Sequence, residues 1–150
     1  FVLENLTEWV IDRAPDVVHI NAGLHDLARV EEDHHQIPIE DYAENVPAIM
    51  RNILNSSDAK LIWATTTPVV DERLFNRHGR QHRTDADVLL YNESALKSAD
   101  ELGVPVNDLY GYVESVGTEK MLSEDGVHFT DEGSLALAQV VADCIRGFLR

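Results

Sequence analysis

The apolar positions of this chain alternate between two periods. Val2, Leu6, Trp9, Val10 and Arg13 recur at helical spacing over residues 2–13, and Pro15 ends the run. Residues 16–23 (Asp-Val-Val-His-Ile-Asn-Ala-Gly) are short, mostly apolar and closed by a glycine, which predicts a buried strand. Tyr42, Val46, Ile49, Met50, Ile53 and Leu54 share one face of a helix running from Ile39 to about Ser56. Residues 61–65 repeat the strand signature and lead into Thr66-Thr67-Pro68. Val88, Leu89, Tyr91, Ala95 and Leu102 mark a helix capped by Thr84 or Asp85 and stopped at Gly103. Residues 104–109 predict a third short strand and 110–116 a helical turn. Residues 130–149 predict a terminal helix with Leu137, Val141, Ile145 and Phe148 on its stripe. Two polar stretches separate these elements. Residues 24–38 predict a loop or broken helix, and residues 70–84, with six charged side chains and two histidines, predict a loop or lid.

Strands alternating with helices imply crossover connections and a parallel sheet. The apolar runs at 17–20 and 61–64 fit a sheet covered on both faces. The chain's 150 residues, 44% of them hydrophobic, support one domain with one core, so residues 1–150 are read as a single domain. Three strands are few for such a sheet, which usually has about 4–6. The domain is therefore expected to be incomplete at its N-terminal side. Phe1 opens into a helical pattern with no basic, cleavable leader before it.

Charge narrows the partners. With 27 acidic against 12 basic side chains, the formal net charge is -15, which disfavours phosphate backbones and anionic membranes. No apolar run approaches the roughly 20 residues that span a bilayer. The single cysteine, Cys144, excludes an internal disulfide and reads as a small buried hydrophobe.

Open parallel sheets place their chemistry beyond the carboxyl ends of the strands. Those ends point to residues 23–26 (Gly-Leu-His-Asp), 65–68 and 107–110. A fourth segment, Asp125-Gly126-Val127-His128-Phe129-Thr130, precedes the last helix. A carboxylate and an imidazole three residues apart meet if the loop between them curls through one turn, and Gly126 permits that turn. The Asp then fixes the tautomer and leaves the second ring nitrogen free to take a proton from a hydroxyl. Taken alone, Asp-x-x-His also fits an exposed histidine in an acidic loop.

Residues 122–133 resemble the last block of the SGNH (GDSL) hydrolase family, whose Asp-x-x-His supplies two members of a catalytic triad. Residues 23–26 resemble the family's third block, Gly-x-Asn-Asp, in a variant with His25 where the family has Asn. Residues 66–68, 91–92 and 108–110 are similar to framework segments of the family. The resemblance implies a three-layer α/β/α sandwich with a parallel sheet of the flavodoxin-like kind. It also implies a serine esterase acting on small acyl esters, such as acetylated carbohydrates or short-chain lipid esters, with no cofactor and no metal. Carried over residue by residue, it makes Asp125 and His128 catalytic. It places His25 and Gly23 at the oxyanion hole, where a neutral imidazole can donate one N–H. Asp26, Thr66 and Arg83 become candidate substrate contacts.

The family's first block, Gly-Asp-Ser, is absent. None of the serines at 56, 57, 94, 98, 115, 123 and 134 stands in Gly-Asp-Ser or Gly-x-Ser-x-Gly surroundings. The nucleophile is therefore expected on a segment preceding Phe1. Two rival readings remain: an SGNH-like module that binds a glycan or protein without catalysis, and a metal-dependent hydrolase using His25, Asp26 and His128. The cluster Glu31, Glu32, Asp33, His34 and His35 matches no metal-ligand spacing and reads as a solvated acidic loop. His78 and His82 with Arg77, Arg80 and Arg83 read equally as a basic lid or as contacts to an anionic or sugar substrate. The sequons at Asn5, Asn55 and Asn92 are discounted, because matches this short are frequent by chance.

Overall fold

The computed structural model describes residues 1–31, 34–74 and 82–149. Glu32 and Asp33 of the acidic cluster, and Arg77, His78 and Arg80 of the charged run, lie outside the described residues.

The centre is a parallel sheet of β1 (Val17–Ile20), β4 (Lys60–Ala64) and β5 (Val106–Asn107), with β4 in the middle. Val18 pairs with Leu61, Ile20 with Trp63, and Ala64 with Asn107. Position explains composition. Central β4 is sealed from Leu61 to Ala64, whereas β1 buries only Val18 and leaves Val17, His19 and Ile20 half-buried. One face carries α2 (Ile39–Ser56) and α4 (Asp85–Leu102), which pack on each other. Val18, Leu61 and Trp63 join Val46, Ile49, Met50 and Ile53 of α2, and Val88, Tyr91, Ala95 and Ala99 of α4, in one core. Leu6 of α1 (Val2–Trp9) closes its edge. On the other side α7 (Asp131–Phe148) packs on β1 and against α5 (Leu109–Val116) and α6 (Thr118–Met121).

The expected strands and long helices form, with their caps. Thr84 accepts from the Asp87 N–H to start α4, and Gly103 ends it in the left-handed conformation at φ 64°. Several expectations change. The helical pattern of 2–13 breaks at Val10 into α1 and a 3₁₀ turn over Ile11–Arg13. The polar stretch 24–38 is neither loop nor broken helix: it is a turn followed by an antiparallel hairpin, β2 (Arg29–Glu31) with β3 (His34–His35). The charged run 70–84 begins with a short helix, α3 (Asp71–Leu74). Cys144 is half-buried rather than buried, because α7 lies on the sheet with its apolar stripe only partly covered. Among the described residues, no helix is long and apolar enough to cross a membrane.

Candidate active site

The segment before α7 is a closed loop. Leu122 and Phe129 form an antiparallel bridge. The Ser123 N–H donates to the His128 carbonyl at 2.7 Å, and the Thr130 N–H to the Met121 carbonyl at 2.8 Å. The Gly126 N–H donates back to the Ser123 carbonyl at 3.0 Å, and Gly126 itself takes φ +76°. These bonds turn Asp125 and His128 toward each other. Asp125 Oδ1 accepts from the Ser123 hydroxyl (2.9 Å) and from the N–H groups of Val127 (2.9 Å) and His128 (2.8 Å). That leaves Oδ2 aimed at His128 Nδ1, 2.6 Å away. Burial would push this carboxyl up, but the hydrogen bonds from the imidazole, the two backbone amides and Ser123 outweigh it and hold it far below its ordinary value. An ionised Asp125 accepts only, so Nδ1 must donate and Nε2 keeps its lone pair. The imidazole is 81% exposed and its carboxylate partner 14%. A base oriented in this way can take a proton from a hydroxyl placed beside Nε2.

The loop is braced from α3. The Val70 N–H donates to the Gly126 carbonyl at 2.9 Å. Arg73, within the stretch expected as a loop or lid, donates to the carbonyls of Ser123 (2.9 Å) and Leu122 (3.2 Å) and pairs with Glu119. Ser123, unplaced as a nucleophile, holds the Asp125 carboxylate. Nothing local in the sequence marks either role.

The second group grows from the end of β1. Gly23 takes φ +147°, and a Cβ there would stand 2.7 Å from Thr66 Oγ1 and 3.2 Å from the Tyr42 hydroxyl, so only glycine lets β1 and β4 close up at this point. The Leu27 N–H donates to the Gly23 carbonyl (2.9 Å) and the Ala28 N–H to the His25 carbonyl (3.2 Å), folding Leu24–Leu27 into a turn. Leu27 and Ala28 are fully buried, which anchors the turn and leaves His25 exposed at its crest. Two tyrosines packed ring to ring at 4.8 Å hold both ends of the excursion. The Tyr42 hydroxyl donates to the Ala22 carbonyl (2.8 Å) and that of Tyr91 to the Ile37 carbonyl (2.5 Å). Burial pushes the Tyr91 hydroxyl up to about 12, so it stays a donor across the working pH range.

Residues 65–70 lie between the two groups. Thr66 meets Gly23, while Val70 holds Gly126. The buried amide of Asn92 brackets Thr66, accepting from its N–H (2.8 Å) and donating to its carbonyl (2.8 Å). That engagement removes Asn92 as a glycosylation acceptor. Thr66 and Arg83 are 2% and 8% exposed, and Arg83 Nε donates to the Leu24 carbonyl at 2.7 Å. Both brace the His25 turn, Thr66 against Gly23 and Arg83 on the Leu24 carbonyl. Asp26 stays half-buried on the turn, its carbonyl accepting from the Ile37 N–H at 2.9 Å. Among the described residues, no group of three or more His, Cys, Asp or Glu side chains is gathered closely enough to hold a metal ion.

The Asp125–His128 pair on the loop before the last helix and the glycine turn beyond β1 are carried by a parallel sheet flanked by helices. The family profile described as "GDSL-like Lipase/Acylhydrolase family" matches residues 2–136, and the chain belongs to that family. It is similar to a GDSL esterase/lipase of Arabidopsis thaliana, 27% identical over 152 residues, covering 89% of this chain and 61% of the relative. The chain thus spans about three-fifths of that protein's length. Among solved structures it resembles a lipase/acylhydrolase from Enterococcus faecalis, with TM-score 0.80 and 25% identity, covering 97% of this chain and 68% of the other. An acetylxylan esterase from Geobacillus stearothermophilus shares the fold at TM-score 0.71 and 18% identity, over 93% and 64% of the two chains.

Proposed function

We propose that these residues form the acid–base and oxyanion part of a serine esterase. His128 is its general base and acid, and Asp125 is the group that orients it. The reading rests on one observation: Asp125 Oδ2 stands 2.6 Å from His128 Nδ1, while three donors hold Oδ1 in place. The nucleophile is a serine outside this chain. Its Oγ gives its proton to Nε2 and attacks the ester carbonyl. His128 then returns that proton to the departing alcohol, and the acyl-enzyme is hydrolysed by water through the same base. During both attacks negative charge collects on the carbonyl oxygen, and a donor fixed beforehand lowers that barrier most. His25, exposed on a braced turn, is that donor, with backbone N–H groups at Gly23 and beyond. Asp26, half-buried on the same turn, is a candidate substrate contact. The substrates are small acyl esters: acetylated carbohydrates, as the Geobacillus stearothermophilus neighbour is an acetylxylan esterase, or short-chain lipid esters.

The open side of β1 supports a serine-bearing strand there, since β1 pairs only with β4 among the described residues. The test is to treat the full-length protein with a serine-directed fluorophosphonate and map the labelled peptide. We expect label on a serine outside residues 1–150, with labelling and hydrolysis of p-nitrophenyl acetate lost in His128→Ala. A protein that takes no label, or a His128→Ala variant with full activity, overturns the reading.

A further inference from the structure

The His25 turn is reached from α4 through a single buried carboxylate. Asp87, in the first turn of that helix, is 5% exposed. Arg29 of β2 donates to both its oxygens, Nε to Oδ2 and an Nη to Oδ1, each at 2.9 Å. The Thr84 hydroxyl donates to Oδ2 at 2.7 Å. His35 Nε2 of β3 lies 3.0 Å from Oδ1, without the alignment of a hydrogen bond. One side chain thus bonds β2 and lies against β3 of the hairpin.

The hairpin in turn sets the crest of the turn. The Gln36 N–H donates to the Ala28 carbonyl at 2.7 Å and the Ile37 N–H to the Asp26 carbonyl at 2.9 Å. The same stretch of chain supplies two further holds: the His82 carbonyl accepts from the Arg29 N–H at 2.8 Å, and Arg83 binds the Leu24 carbonyl. With Gly23 and His25 bonded inside the turn, every carbonyl from Gly23 to Ala28 except that of Leu27 has a named donor. The backbone of the turn is thus tied down at five of its six carbonyls, and the His25 side chain stands exposed on it. A misplacement of about 1 Å in a reacting site can cost about 100-fold in rate, so fixing this turn matters to catalysis as well as to stability.

We propose that Asp87 is a positioning residue for the reaction: it holds the β2–β3 hairpin against α4 and thereby sets where His25 stands over the substrate carbonyl. This rests on His25 being the oxyanion donor. A purely structural Asp87 would lower stability and the amount of folded enzyme. A positioning Asp87 lowers kcat of the folded enzyme, leaves KM nearly unchanged, and does so only while His25 is present.

The experiment is a double-mutant cycle in the full-length protein with p-nitrophenyl acetate, comparing His25→Ala, Asp87→Asn and the pair, each checked for folding by circular dichroism. Removing an oxyanion donor outright costs about 10²–10³ in kcat, so His25→Ala is expected in that range and Asp87→Asn at about 10–100-fold. In the His25→Ala background, Asp87→Asn should cost less than about threefold, since the two act through one interaction. Should Asp87→Asn fail to fold, Arg29→Lys keeps the charge but breaks the two-pronged grip on Asp87, and the same non-additivity is expected. Full kcat in folded Asp87→Asn, or an equal loss with and without His25, overturns the positioning role while leaving the oxyanion reading intact. Full kcat in His25→Ala removes the oxyanion reading, and the positioning role falls with it.

Discussion

Asp125 carries two separable properties, its charge and its ability to accept, and an asparagine divides them. In Asp125→Asn the amide oxygen can still accept from Ser123 and the two backbone N–H groups, so the loop keeps its shape. The amide nitrogen then faces His128 Nδ1 and can only donate. Nδ1 must become the acceptor, the ring proton moves to Nε2, and the base is lost. We expect kcat to fall about 10³–10⁴-fold with little change in melting temperature, as a wrong tautomer does in triad enzymes. Measured kcat beside a thermal melt checks it, and a loss below about tenfold would show that His128 does not work through Asp125. This pair was legible in the sequence because it is local: three residues and a glycine specify it. The groups that hold it were not. Arg73 and Ser123 act on the loop through a long-range carbonyl contact and a hydroxyl bond, and neither leaves a pattern in spacing.

The loop that carries the pair depends on one glycine for two reasons. Gly126 adopts φ +76°, and a Cβ there would sit 2.7 Å from the Val70 carbonyl oxygen and 2.9 Å from Arg73 Cβ. Gly126→Ala therefore meets backbone strain and a backbone clash together. It should lose at least about 1–3 kcal/mol of stability and displace His128. A lowered melting temperature with reduced kcat is the expected outcome, and an unchanged melt would contradict the close approach of α3 to this loop. The same contrast between local and distant causes separates the elements that the sequence predicts from those it does not. α2, α4 and α7 are each 18 residues long, with caps at Thr84, Gly103 and Thr130, so the helical period is strong. The hairpin of β2 and β3 has strands of three and two residues. Its alternation is too short to register against a run of acids and histidines. Its anchor on α4 lies more than fifty residues away: Asp87 accepts two hydrogen bonds from Arg29 and stands 3.0 Å from His35 Nε2.

Across the whole molecule, the parallel sheet was readable because β4 is central and uniformly apolar. β1 is half-exposed, so its apolar run overstated its burial. The surplus of acids, which sets the charge at -15, also hides the few that are structural. Asp87 is one of these, and pH distinguishes it. Burial would raise its carboxyl, but Arg29, Thr84 and His35 together bring it down to about 2 from the ordinary 3.8. The folded chain thus prefers the ionised form more strongly than the unfolded chain does. The stability this supplies is complete above about pH 4 and is lost as pH falls toward about 2. Its size is about 2 kcal/mol, because each tenfold gain in acidity on folding is worth about 1.4 kcal/mol and the carboxylate is almost wholly buried. Asp125 is depressed too and contributes in the same direction, so the wild-type decline in acid contains both. Subtracting an Asp87→Asn variant isolates the buried carboxylate. Urea unfolding from about pH 5 down to about pH 2.5 should show the variant less stable at the upper end, and the gap should narrow as acid protonates Asp87 in the wild type. A gap that stays constant across that range would mean that Asp87 acts here by shape and packing, and that its charge does not hold the hairpin to α4.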